Sequence, residues 1–153
     1  MFTHSLSLAL LATFAAHSAP EDPVPAQFIR IELFGEGRIL SLAEVEVFSD
    51  KTNIALTGTA THSSHYSGSG PELAIDGILD GAHGGGSVSH TAADQIDAWW
   101  ELDLGAPSLI DQVTIWNRVD CCGDRLANYS LVLLDADRKE ILRLEPNPAP
   151  PIY

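Results

Sequence analysis

Cysteine is nearly absent from this chain of 153 residues: there are two, and they are adjacent, Cys121 and Cys122. A disulfide framework of the kind that staples small secreted domains is therefore excluded, and the partners open to these thiols are each other, another molecule, or nothing. Cations are scarce as well. Eight Lys and Arg stand against 21 Asp and Glu, a net charge of −13, which argues against a nucleic-acid binder that needs a basic stripe for phosphates. The same acidity disfavours anionic membranes and suits a bound cation. No apolar run is long enough to cross a bilayer, so membrane insertion is not expected. No helical period of useful length appears either. At this length one domain is expected, large enough to bury a core without staples.

Leu6 to Ala16 is a short apolar run followed by small residues up to Ala19, the pattern of an export signal, although Lys and Arg are missing from its start. Residues 1–19 are accordingly read as a signal peptide and the protein as secreted, or periplasmic in a bacterium. Residues 20–26 are Pro-rich and acidic and read as a linker. Short strands then follow one another. Ile29, Ile31 and Leu33 alternate with Phe28, Arg30 and Glu32. Ala43, Val45 and Val47 share one face and leave Glu44 and Glu46 on the other. A weaker Ser/Thr-rich strand is expected over 54–64, and strands again over 99–104, 110–118, 129–134 and 140–144. Trp100, Leu102 and Leu104 point inward in the first of these. Residues 76–90 form a long Gly-rich loop, the kind that is usually functional. Residues 146–153 hold four prolines and read as a disordered tail. Six or more short strands divided by turn signals predict an all-β fold, an antiparallel sandwich or jelly roll.

The loop 116–126 reads Trp-Asn-Arg-Val-Asp-Cys-Cys-Gly-Asp-Arg-Leu, with Arg118 and Arg125 on either side of the cysteine pair. Bonded neighbours strain the peptide between them, because disulfides prefer Cα separations of roughly 4.4–6.8 Å and adjacent Cα atoms lie about 3.8 Å apart. A bonded pair forms a small rigid apolar plate between two guanidinium groups, suited to the apolar face of a sugar ring. Two reduced thiols, with Arg118 and Arg125 paired to Asp120 and Asp124, would give the same sequence.

Three segments taken together, Ser87-Val88-Ser89-His90-Thr91, Trp99 to Gly105, and Asn117 to Arg125, resemble the F-type lectins or fucolectins. These are galactose-binding-like jelly rolls related to discoidin and coagulation-factor type C modules. The resemblance covers roughly residues 27 to 144, within one domain read over 27–145, and implies that His90, Arg118 and Arg125 hold L-fucose. It also implies that Cys121 and Cys122 form a vicinal disulfide stacked on the sugar. A neutral imidazole and two guanidinium groups suit hydroxyls that both donate and accept. The sequence departs from the family at Val119, which replaces the motif glycine, and at Ala82, His83 and Gly84, where residues meeting the fucose methyl are expected. Tyr66, His62 and His65 are candidates to stand in.

The resemblance further implies a structural calcium ion near Ala74-Ile75-Asp76-Gly77. Asp76 and Ser87 are the matched side-chain ligands, and the backbone carbonyls of Leu73 and Ile78 the matched main-chain ones. Hard oxygens on irregular backbone suit calcium, and Asp80 and Asp103 are further neighbours to consider. The family's last ligand is a Glu in a C-terminal strand. The corresponding segment lies near the N-terminus here, Leu40 to Val47, which makes Glu44 the candidate with the carbonyl of Ala43 beside it. N-terminal strands thus replace the usual C-terminal ones, by circular permutation or by strand exchange with a neighbour. Family members often carry a bonded cysteine pair where Ala43 and Val88 stand. The expected partner is a fucosylated glycan or related sugar, bound without chemistry, with no nucleic acid and with a homo-oligomer allowed. A rival reading is a structural or interaction sandwich that has lost the pocket. An enzyme built on His90, Asp76, Asp80 and Arg118 would lack an activated nucleophile and a matched acid/base pair.

Overall fold

A computed structural model of the protein describes residues 15–18 and 22–147, with backbone only for 15–18 and 145–147. Two antiparallel sheets pack face to face. The first has the order β1 (Ala15–Ser18), β8 (Gln112–Asn117), β3 (Ser41–Ser49), β4 (Thr52–Asn53), with β6 (Ser89–His90) also on β3. The second has the order β10 (Glu140–Asn147), β9 (Tyr129–Leu134), β2 (Val24–Leu33), β7 (Ala98–Ile110), β5 (Thr59–His62). Helical structure among the described residues is limited to four short 3-10 turns. The chain is therefore the all-β sandwich that its alternating patterns predict.

Alternation decides what lies between the sheets. Ile29, Ile31 and Leu33 from β2, Trp100 and Leu102 from β7, and Leu131 and Leu133 from β9 meet Leu42, Val45 and Val47 from β3 and Val113 and Ile115 from β8. Each such side chain contributes roughly 1.5–3 kcal/mol on full burial. Leu104, expected to be inward, is only partly buried. The pattern in β3 departs by one residue. Its register shifts between Leu42 and Glu44, so Leu42 rather than Ala43 joins Val45 and Val47 in the core. One extra residue in a strand reverses the facing of everything on one side of it. β2 lies between β9 and β7, and β3 beside β8. The two N-terminal strands are thus central and pair within the chain.

Other boundaries move for identifiable reasons. The strand expected over 54–64 is reduced to β5, its first residues being taken by the turn Ala55–Thr57, which follows the short β4. Asn53 Oδ1 accepts from the amides of Val47 and Ala55, both at 3.1 Å, and such a side chain competes with the ladder. The linker read over 20–26 ends early, because Val24, Pro25 and Ala26 pair with Ile110, Leu109 and Ser108. Pairing with β9 begins only at Phe28, and a proline is tolerated where one side of its strand is open. β10 runs to Asn147, two residues into the expected tail, and residues 148–153 lie outside the described residues. Most of the leader does too. Its residues 15–18 form β1, paired with Val113–Trp116 on the outer edge of β8.

Candidate functional site

β8 delivers the cysteine loop to one end of the sandwich, and the loop is fastened at both of its ends. The buried Asn117 amide donates to the Gly123 carbonyl at 2.9 Å, and Leu126 is inserted in the core. Between them Cys121 and Cys122 are joined by a disulfide with Cα atoms 3.7 Å apart. Cys122 adopts φ +62°, a left-handed conformation that costs a non-glycine residue energy and persists where the surroundings impose it. The 3-10 turn Gly123–Leu126 follows directly. Of the two readings of the cysteines, the structure takes the bonded one.

This loop forms one wall of a cavity of about 370 Å³, contributing Arg118, Cys121 and Arg125, with Ile39, Tyr66, His83 and His90 opposite. Backbone hydrogen bonds explain the company. His90 pairs with Ser41 through β6 and β3. The loop after β5 is stitched to His90 by Tyr66 N–H to the His90 carbonyl at 3.2 Å and His90 N–H to the Ser69 carbonyl at 3.1 Å. The rings of Tyr66 and His90 consequently lie 4.9 Å apart, with His83 edge-on to both.

His90 is 6% exposed, and its Nδ1 donates to the Thr91 carbonyl at 2.6 Å. That bond leaves Nε2 as the acceptor of a neutral ring. Burial first, and then the charges of Arg118, His83 and Arg125, lower the pKa of His90. Arg118 is held in a fork by Asp120, at 2.6 and 3.0 Å, which raises its own pKa and holds Asp120 far below the usual carboxylate range. A guanidinium has five N–H donors, so several remain for another partner. Arg125 forms no ion pair among the described residues, in contrast to the Arg125–Asp124 pairing weighed from the sequence.

The structure thus brings His90, Arg118, Arg125 and Cys121 around one cavity, with Cys122 at the head of the turn that follows. Tyr66 takes its place there. His83 does as well, its Nε2 3.2 Å from Ser69 Oγ. His62 and His65 instead bond one another at 3.4 Å and are not among the lining residues. Ile39 was not anticipated, and no signal in its local sequence marks it. Val119, where the family has glycine, donates its N–H to the Gly81 carbonyl at 2.9 Å. A Cβ on Gly81 would lie 2.7 Å from the Asn117 carbonyl and 2.9 Å from Val119 Cγ1. Glycine is needed there for close approach, and the β-branched Val119 braces the long loop.

A second cluster lies behind that loop. Glu44 is fully buried. One carboxylate oxygen accepts the Gly77 N–H at 3.1 Å, and the other is buried without a partner. Burial, with lesser contributions from the charges of Asp76 and Glu46, pushes the Glu44 pKa up to about 7. Asp76 Oδ1 accepts from Ile78 N–H at 2.8 Å, and its Oδ2 accepts from the Ser87 hydroxyl. Two carboxylates and a hydroxyl therefore converge with an orphaned buried oxygen, an arrangement that lacks a positive charge. Among the described residues no group of three His, Cys, Asp or Glu is placed to hold a metal. A donor set that mixes two carboxylates with hydroxyl and carbonyl oxygens fits a hard cation better than a transition metal. Leu73 lies in the turn Pro71–Ile75, which Trp100 Nε1 anchors through the Pro71 carbonyl at 2.9 Å. Asp103 is removed from this cluster, since it pairs with Phe28 and Thr59 in the other sheet. Asp80 accepts the Ala82 N–H at 3.0 Å, within its own loop. Ala43 on β3 and Val88 just before β6 are both buried and stand next to the paired Leu42 and Ser89.

Residues 73–142 match a family model described as the NedA-like, galactose-binding domain of the F5/F8 type C group. Fucolectin-1 of Anguilla japonica is 41% identical over 86 residues, 53% of this chain and 48% of the relative. The fucolectin of Anguilla anguilla is 40% identical over 84 residues, 52% of each chain. A pentraxin fusion protein of Xenopus laevis is 33% identical over 58% of this chain and 21% of its own length. The chain spans about half the length of the fucolectins it matches. No solved structure matches it.

Proposed function

Because the chain carries an F-type lectin domain of the galactose-binding-like class, we propose that the cavity beside Cys121–Cys122 binds fucose-containing glycans and leaves them chemically unchanged. The observation that carries this reading is the convergence of His90, Arg118, Arg125 and Cys121 on one cavity. His90 Nε2 accepts from a sugar hydroxyl, Arg118 and Arg125 donate to hydroxyl oxygens, and the disulfide meets an apolar face of the ring. Tyr66 supplies the aromatic surface. Ser69 and His83 are not a catalytic pair on this account. No carboxylate hydrogen-bonds to the His83 ring among the described residues, so the third group that orients a catalytic imidazole is missing.

Glu44, Asp76 and Ser87, with the carbonyls of Ala43, Leu73 and Ile78, would hold a calcium ion. The ion would supply the positive charge that the buried, unpartnered Glu44 oxygen lacks and so stiffen the loop that carries His83. β2 and β3, which precede the matched residues 73–142, take the place of C-terminal strands by permutation. Residues 1–19 direct secretion and are removed together with the edge strand β1, which the N-terminal mass of the exported chain would test: retention of residues 1–19 overturns it.

Affinity per site is modest. Hydrogen bonds to charged groups contribute about 1.5–3 kcal/mol each and association costs several, so Kd falls on the order of 10 μM to 1 mM. Several copies together would raise the overall affinity. A glycan array probed with the chain, with and without calcium, and with Arg118→Ala, tests the reading. Fucose-selective binding lost in the variant supports it. Folded protein that binds calcium and no glycan would favour the sandwich that has lost its pocket.

A further inference from the structure

Arg125 stands between two cavities. On its far side from His90 lies a second one of about 270 Å³, bounded by Gly37–Ile39 and by Asp124, Ala127 and Asn128. The two cavities share Ile39 and Arg125, so they are neighbours with these two side chains as their common wall.

The second cavity has a fixed frame. Arg38 lies under it and donates Nη2 to the carbonyls of Ala127 at 2.9 Å and Arg125 at 3.3 Å. Its backbone is bridged to Gln95 in both directions, at 2.9 and 3.2 Å. The turn opposite is held by the buried Leu126 and Tyr129 on either side of Ala127 and Asn128. Two polar side chains remain at the rim, Asp124 and Asn128, both exposed and without a hydrogen-bond partner among the described residues. One carboxylate acceptor and one amide that donates and accepts is a set that meets hydroxyls. The Asp124 charge also repels an anion, and Arg38 is occupied by carbonyls. A frame held by its own backbone avoids the ordering cost that weakens binding by loops.

We propose that this cavity is a second sugar subsite, and that the ligand is a neutral oligosaccharide: its terminal residue at His90 and Arg118, its penultimate residue beyond Arg125 against Asp124 and Asn128. The inference rests on the reading of the first cavity as a sugar site. It explains a use for two rim groups that the first site leaves aside. It also gives the chain a preference among glycosidic linkages, because only some linkages carry the second ring across Arg125.

The test compares methyl α-L-fucoside with disaccharides in which fucose is linked to positions 2, 3 or 4 of a neutral hexose, titrated against the full chain made in a host that does not glycosylate the acceptor pattern Asn128-Tyr129-Ser130. At least one linkage should bind about tenfold more tightly than the monosaccharide, the scale of one or two net hydrogen bonds. Asp124→Ala and Asn128→Gly should each remove about 3- to 10-fold of that gain while leaving the monosaccharide Kd within about twofold. Glycine suits position 128 because Asn128 has φ +60°. Disaccharides that bind no better than the monosaccharide, or a gain that survives both variants, would overturn the subsite and leave the first site standing. Absence of binding to every sugar would overturn the first site, and the subsite with it.

Discussion

Replacing Glu44 by Gln tests the calcium account at its most exposed point. The side chain is fully buried, with one oxygen held by the Gly77 amide and the other without a partner. Gln keeps an acceptor for Gly77 and nearly the same volume, and removes the charge. A ligand that binds only the folded state stabilises it by about 2.7 kcal/mol at a hundredfold excess over its Kd. A domain of this size gains roughly 3–5 °C per kcal/mol, so saturating calcium should raise Tm by roughly 10 °C. In Glu44→Gln the rise should shrink to about 2 °C or less, since a coordinating carboxylate is gone. Without calcium the variant should melt no lower than the wild type, because a buried charge lacking a partner is destabilising. Differential scanning calorimetry with chelator and then with graded calcium measures both. A wild-type Tm indifferent to millimolar calcium, or an equal rise in the variant, would refute the reasoning.

Three further outcomes follow from the geometry. Cys121→Ser with Cys122→Ser should weaken sugar binding about tenfold or more with the sandwich intact by circular dichroism, since the plate and the left-handed turn at Cys122 are lost together. Binding should be flat from pH 7 to 8 and fall on acidification. Burial lowers the His90 pKa from its usual 6.5, so the acceptor nitrogen is lost only below that value, and titrations at pH 5 to 8 read the profile. A fall beginning above pH 7 would contradict it. Gly81→Ala should destabilise the fold by about 1–3 kcal/mol in urea, and Val119→Gly should recover only part of the loss because the Asn117 carbonyl remains in the way.

The sandwich was legible because inward and outward residues alternate in β2, β7 and β8, and period two needs no tertiary information. The residues it misplaced had a local cause that alternation does not encode. Ala43 is the extra residue between Leu42 and Glu44 and so leaves the core-facing side, and the Asn53 side chain holds the turn that displaces the start of a strand that Thr and Ser content favoured. In the candidate site, Arg118, Arg125 and the cysteines stand close in sequence and could be read as a unit. His90 could be joined to them only through the family pattern. Tyr66 and His83 reach the cavity through backbone bonds between distant loops, Tyr66 to His90 and Val119 to Gly81, and no spacing along the chain announces such bonds.

Titration of methyl α-L-fucoside into the wild type and into Arg118→Ala tests the central claim most directly. Arg118 lines the cavity and donates to Asp120, and with Asp120 exposed the loss of that partly solvated pair costs on the order of 1 kcal/mol of stability. The account predicts a Kd on the order of 10 μM to 1 mM for the wild type and a loss of about tenfold or more in the variant, with Tm nearly unchanged. A wild type that is folded and does not bind, or a variant that binds as well as the wild type, would contradict it.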